Sequence, residues 1–167
     1  VNDNHIDWGE GPWNTEEDHA VWVDPTTDLD CMINRGSSGA LCGYVGVPPS
    51  HPLHGKQYDD VNVDVHGGLT YSRPCQEDGE ICHVPQEGRE AEIWWFGFDC
   101  AHSGDISPRM VADMRVLKER LRTEGKEKEA AVFDEKWDHV FKPTYKDWAY
   151  VQQECTDLAR QLAEVAA

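Results

Sequence analysis

"WWFGFDCAHSGD", Trp94 to Asp105, carries the pattern that sets the fold class. Its first five residues, Trp94 to Phe98, are apolar apart from Gly97, the composition of a strand buried on both faces. Successive side chains of a strand point to opposite faces, so at least one of Trp94 and Trp95 enters a core. The run then ends in Asp99, Cys100, His102 and Asp105, packed into seven residues. Ser107 is a good helix N-cap and Pro108 fits the first helical position. A helix over 106–122 is predicted, with Met110, Met114, Leu117 and Leu121 at helical spacing. The stretch is therefore a junction from a buried strand into a helix, and such junctions present unpaired backbone N–H groups that favour an anion.

Working outward, "LDCMIN" (29–34) and "ALCGYVGV" (40–47) flank "RGSSG" and predict a hairpin. "VNVDVHGGLTYS" (61–72) alternates at period two, with Val61, Val63 and Val65 on one face, and predicts a further strand. Gly67 and Gly68 interrupt it, as at a bulge or a close backbone approach. The proline-punctuated loop 48–60 holds His51, His54 and Lys56, the composition of a lid. After the first helix, "TEGKEKEAA" reads as a charged, exposed break. "PTYKDWAYVQQECTDLARQLAEV" (143–165) predicts a second helix whose apolar stripe is Trp148, Val151, Cys155, Leu158 and Leu162. The expected fold is α+β: a single domain over 1–167, mostly antiparallel sheet, with two main helices from the C-terminal half packed on it. Within it, 1–24 is a Trp-rich acidic arm packed on the body through Trp8, Trp13 and Trp22, 25–105 is the sheet-rich body, and 106–167 is the helical part.

The formal net charge is −17. Residues 1–30 contain Asp3, Asp7, Glu10, Glu16, Glu17, Asp18, Asp24, Asp28 and Asp30 and no Lys or Arg. Such a surface repels a phosphate backbone, which argues against direct nucleic-acid binding. No apolar run reaches the roughly 20 residues a membrane helix needs, and residues 1–30 lack the apolar core of a signal peptide. A cytoplasmic location without a membrane partner is expected. Six cysteines are expected mainly as buried thiols. Cys31 with Cys42, and Cys75 with Cys82, each flank a turn and are the pairs to examine for a bridge.

Two chemistries suit the opening stretch. As a ligand pocket, His66, Gly67, Gly68, Thr70, Tyr71, Trp95, Asp99, His102 and Asp105 form the walls. The glycines let a flat ring approach and Trp95 stacks on it. Lys56 and Arg109 contact an anionic group, and Arg35 and Arg73 are further scarce cations near these segments. As a metal site, His66, Asp99, His102 and Asp105 are candidate ligands, with zinc or manganese as the ion. Turn and cap chemistry accounts for Asp99 and Asp105 without any ligand. There is no GxSxG elbow, Walker A loop or dinucleotide glycine fingerprint.

"LCGYVGVPPSHPLHGKQYDDVNVDVHGGLTYS", "WWFGFDCAHSGD" and "AYVQQECTDLARQL" together resemble a family of small uncharacterised phage and bacterial proteins. The resemblance covers about residues 8–105 and 145–162. The family pattern has Gly-His-Pro where this chain has Ser50-His51-Pro52, and often Tyr where it has His54. The resemblance implies a setting in which small acidic proteins block host defence, in the host cytoplasm if phage-encoded. The leading expectation is a non-catalytic small-molecule binder without a cofactor, such as a sponge for a nucleotide-derived signal; the alternatives are a metal-dependent hydrolase with zinc or manganese, and an acidic inhibitor of a host protein.

Overall fold

The computed structural model describes residues 8–75, 81–82, 87–89, 91–136 and 144–166. Five strands form one antiparallel sheet: β1 (His19–Val23), β2 (Asp30–Arg35), β3 (Leu41–Val47), β4 (Tyr71–Pro74) and β5 (Trp94–Asp99). Their spatial order is β1-β2-β3-β5-β4. The helices follow: α1 (Pro108–Thr123), α2 (Glu127–Lys136) and α3 (Trp148–Ala166). Two short strands, β6 (Asp105–Ile106) and β7 (Thr144–Tyr145), pair in parallel and bring the approach to α3 beside the loop that leaves β5. The architecture is α+β, as the patterning predicts.

The apolar run of "WWFGF" is explained by position. β5 lies between β3 and β4, so both of its edges are paired, and a core cluster covers each of its faces. Phe96 and Phe98 face the main core with Val45, Val151, Cys155, Leu158 and Leu162, and Trp94 packs at its margin. Trp95 points the other way, fully buried against Met32 and Ile93. α3 lies over β2 and β3 and buries Val151, Cys155, Leu158 and Leu162 of its predicted stripe, with Trp148 half-buried against the same core. That approach depends on Gly43: a methyl there would sit 2.4 Å from the Phe98 ring and 2.7 Å from the Cys155 sulfur.

Several expectations are corrected. The hairpin forms, but its turn is closed by the Gly36 N–H on the Ala40 carbonyl, which sets Cys31 opposite Val45 and Cys42 opposite Asn34. Both thiols are therefore free, whereas Cys75 and Cys82 form a disulfide. The alternating stretch 61–70 is not a strand, and β4 begins only at Tyr71. The charged break is largely helical, since α2 starts at Glu127. α1 begins at Pro108 with the Ser107 hydroxyl accepting the Met110 N–H, as predicted. Its stripe does not reach the core: Met110 and Leu117 are exposed, and α1 packs against α2. α3 starts at Trp148, five residues after Pro143, with the Asp147 carboxylate accepting the Tyr150 N–H.

Trp8 and Trp13 are buried, so the acidic arm does pack on the body; Asp3 and Asp7 lie outside the described residues. Arg35 is not free for a ligand. Its guanidinium is buried, with ion pairs of 3.0 Å to Glu16 and 2.7 Å to Asp18. It also donates to the Gly39 carbonyl and the Tyr145 hydroxyl, and the Glu16 carboxylate accepts the Trp148 N–H. One guanidinium thus ties the arm, the hairpin and the entry to α3. The loop 48–60 is likewise structural at His51. Its Nδ1 accepts the Leu53 N–H, so Nε2 carries the proton and donates to the Leu162 carbonyl at 2.9 Å.

Candidate metal centre

The segment 61–66 meets α3 without forming a strand, because α3 side chains satisfy its backbone. Gln161 accepts the Asp64 N–H and donates to the Asp64 carbonyl, both at 2.7 Å. Glu154 accepts the His66 N–H at 2.8 Å, and the Tyr150 hydroxyl meets His66 Nδ1 at 3.0 Å. Tyr150, Glu154 and Gln161 lie near one face of the helix, at offsets of four and seven residues. Together they fix both the backbone and the ring of His66.

The other imidazole nitrogen, Nε2, is 2.8 Å from the Asp105 carboxylate. Asp105 is 5% exposed and closes the loop after β5 on itself. The same carboxylate oxygen accepts the His102 N–H at 2.9 Å, while the Asp105 N–H donates to the His102 carbonyl. His102 is thereby folded over the site. Its Nδ1 lies 3.6 Å from Asp105 and 3.8 Å from Asp99, beyond hydrogen-bond reach of either. That nitrogen is buried and has no hydrogen-bond partner. The imidazoles of His66 and His102 meet edge to face at 5.5 Å.

Gly67 makes the approach possible. Its φ is +67°, in the left-handed region, and an added Cβ would lie 2.1–2.5 Å from three atoms of the His102 ring. The glycine thus serves an imidazole rather than a flat ligand. His66, His102 and Asp105 each offer a donor atom, and the three lie within 4.8 Å of one another. Tetrahedral zinc with bonds of about 2.0–2.1 Å keeps its donors roughly 3.3–3.4 Å apart. The observed 2.8 and 3.6 Å separations to Asp105 bracket that spacing.

Of the sequence candidates, His66, Gly67, Asp99, His102 and Asp105 are brought together. Gly68 adjoins them but touches nothing within 4 Å of where its Cβ would be. Thr70 is at the margin, donating to Asp99 at 3.0 Å, and the other Asp99 oxygen accepts the Ala101 N–H. Four candidates lie elsewhere. Trp95 is sealed in the second core and offers no ring to a ligand. Tyr71 packs edge to face on Tyr44 against that same core, with Arg73 over its ring. The carbonyl of Lys56 accepts the Trp94 indole N–H, which places Lys56 at the far end of β5, about 17 Å of strand from Asp99. Arg109 is exposed on α1 beside Asp113. His54, too, is away from the site, against Trp94 and the Glu92 carbonyl.

Tyr150 and Glu154 are the residues of this site that the sequence reading passes over. Both flank the apolar stripe of α3 and look like ordinary helix-surface residues until 61–66 is placed. They line a groove of about 660 Å³ with Asp64, His66, Asp157 and Arg160. The one guanidinium among these, that of Arg160, is already paired with Asp157 and Glu164. Cys100 sits beneath the loop, and burial, reinforced by the charge of Asp105, pushes its thiol up. It is therefore a packed thiol and not a ready nucleophile.

Comparison with family models, with curated proteins and with solved structures finds no match to this chain. No helix among the described residues is long and apolar enough to cross a membrane.

Proposed function

We propose that the chain binds a divalent transition-metal ion at His66, His102 and Asp105 and uses it as a hydrolytic centre. The observation that carries this is the buried, unpartnered Nδ1 of His102, facing two carboxylates with a second imidazole alongside. Buried polar atoms normally find partners, so an orphaned imidazole nitrogen beside an acidic group marks a place for a cation. Mixed imidazole and carboxylate donors suit zinc. Three protein donors leave a fourth position for water, whose pKa a bound zinc brings toward neutrality. Asp99 is at hand as a fourth ligand or a base, and its oxygen would favour manganese if it joined. The groove beside His66 gives a substrate access.

A nucleotide-binding reading draws less support from these positions. It needs stacking and cationic groups at this wall, whereas Trp95, Tyr71, Lys56 and Arg109 lie elsewhere. The groove also carries Asp64, Glu154 and Asp157, which oppose a phosphate.

Metal analysis by mass spectrometry tests the proposal on protein purified without chelator or affinity tag. Stoichiometric zinc or manganese is expected, absent from His102→Ala while its circular dichroism stays native. Protein that holds no metal and takes up neither ion on addition would sink the proposal.

A further inference from the structure

The groove beside His66 has a charge that selects among guests. The carboxylates of Asp64, Glu154 and Asp157 line it, against the single guanidinium of Arg160. That guanidinium is shared, since it pairs with Asp157 and with Glu164, each at 3.3 Å. Asp64 is exposed and is held through its backbone by Gln161, which leaves its carboxylate to the groove. At the inner end Glu154 accepts the His66 N–H at 2.8 Å and, as a carboxylate, keeps further acceptor capacity. The volume of about 660 Å³ is that of a small-molecule site. The wall already carries a cation. The Lys146 ammonium lies 4.9 Å from the centroid of the Tyr150 ring, within the range of cation–π attraction. Lys146 also donates to the Thr144 hydroxyl at 2.8 Å. With Lys146 counted, Asp64, Glu154, Asp157 and Glu164 still outnumber the cations around the groove.

We infer that the hydrolytic centre takes a substrate whose scissile carbonyl bond lies close to an ammonium or guanidinium group, and that the groove holds this cation through Asp64, Glu154 and the Tyr150 ring. Asp64 stands two residues before His66, so the chain separates them by at most about 7 Å. A cation held there is within a side chain's length of the three donor residues. The same carboxylates repel a phosphate ester, whereas an amide or ester carbonyl brings no negative charge into the groove. Lysine- or arginine-containing peptides and acylated polyamines share this chemistry. The inference rests on the metal reading.

The test uses the full chain, labelled with nitrogen-15 and loaded with zinc, and follows its amide signals on addition of blocked trilysine, acetylspermidine or blocked triglutamate. Trilysine, acetylspermidine or both are expected to shift the signals of 64–67 and 150–161, and triglutamate to leave them in place. A response to trilysine alone marks a peptide source, and one to acetylspermidine alone a polyamine conjugate. Added salt should weaken the binding, as for any exposed charge pairing. Asp64→Asn combined with Asp157→Asn is expected to weaken it roughly three- to tenfold, the ordinary strength of two exposed ion pairs. Asp113→Asn removes a charge from α1, away from the groove, and is expected to leave it unchanged. Shifts confined to the acidic residues 16–30, weakening by Asp113→Asn as large as that of the double variant, or no shift with either cation overturns the inference and leaves the metal reading standing. Wild type that takes up no zinc overturns both.

Discussion

A methyl group on Gly67 would lie 2.1 Å from Cε1 of His102, and the backbone there is already at φ +67°. Alanine at that position costs roughly 1–2 kcal/mol for the left-handed backbone and must also displace the imidazole. Gly67→Ala is therefore expected to lower zinc affinity by more than about tenfold, as one ligand is moved off. Gly68→Ala is its control. It shares the backbone cost, at φ +83°, but its methyl meets no atom within 4 Å. Calorimetric zinc titration of the two variants separates steric displacement from backbone strain. The free thiols make a second test at this scale. Burial pushes Cys31 up to about 12 and Cys42 up to about 11, from an ordinary 9.0. At pH 8 both stay as thiols, so iodoacetamide is expected to label them only in denaturant. An unfolded chain ionises these groups near pH 9 while the folded chain holds their protons. Stability is therefore full below pH 9 and falls as pH rises toward 12, which a series of urea melts would follow.

At the scale of elements, α3 both covers the sheet and builds the site. Its apolar stripe packs on β2 and β3, and the neighbouring row of Tyr150, Glu154 and Gln161 replaces the missing partner strand of 61–66. Gln161→Ala breaks both bonds to the Asp64 backbone. At about 1 kcal/mol net per hydrogen bond, a loss of about 1–2 kcal/mol is expected. Hydrogen exchange should accelerate at 62–67 and not in β3, since the helix keeps its own packing. An equal acceleration in β3 would mean that the segment and the sheet open together.

For the molecule as a whole, two couplings are decisive. Arg35 is the first, because Glu16, Asp18 and Tyr145 converge on it from distant parts of the chain. Arg35→Ala leaves Glu16 and Tyr145 facing a void, and truncating one partner of a buried ion pair costs about 3–5 kcal/mol. Denaturant unfolding should show that loss together with detachment of the Trp8–Trp13 arm, seen as a rise in tryptophan exposure. The proposed metal is the second. An ion bound only by the folded chain raises stability by RT ln(1 + [L]/Kd), about 2.7 kcal/mol at a hundredfold excess over Kd. Zinc should raise the melting temperature of the wild type, and leave His102→Ala where it was.

Much of this was set by local chemistry and is visible in the sequence. The buried strand 94–98, the hairpin, the Ser107 cap and the α3 stripe follow from periodicity and capping, which act over a few residues. Asp99, His102 and Asp105 could be picked out because they sit together in the chain. What the sequence left open depends on contacts between distant segments. Val61, Val63 and Val65 alternate like a strand, yet the hydrogen-bond partners available there were side chains of α3, and these decided the conformation. Trp95 looked like a stacking platform until Met32, Ile93 and the residues around them packed over that face of β5. Tyr150 and Glu154 are separated from His66 by more than eighty residues. No spacing rule couples them; only the packing of α3 across the sheet does.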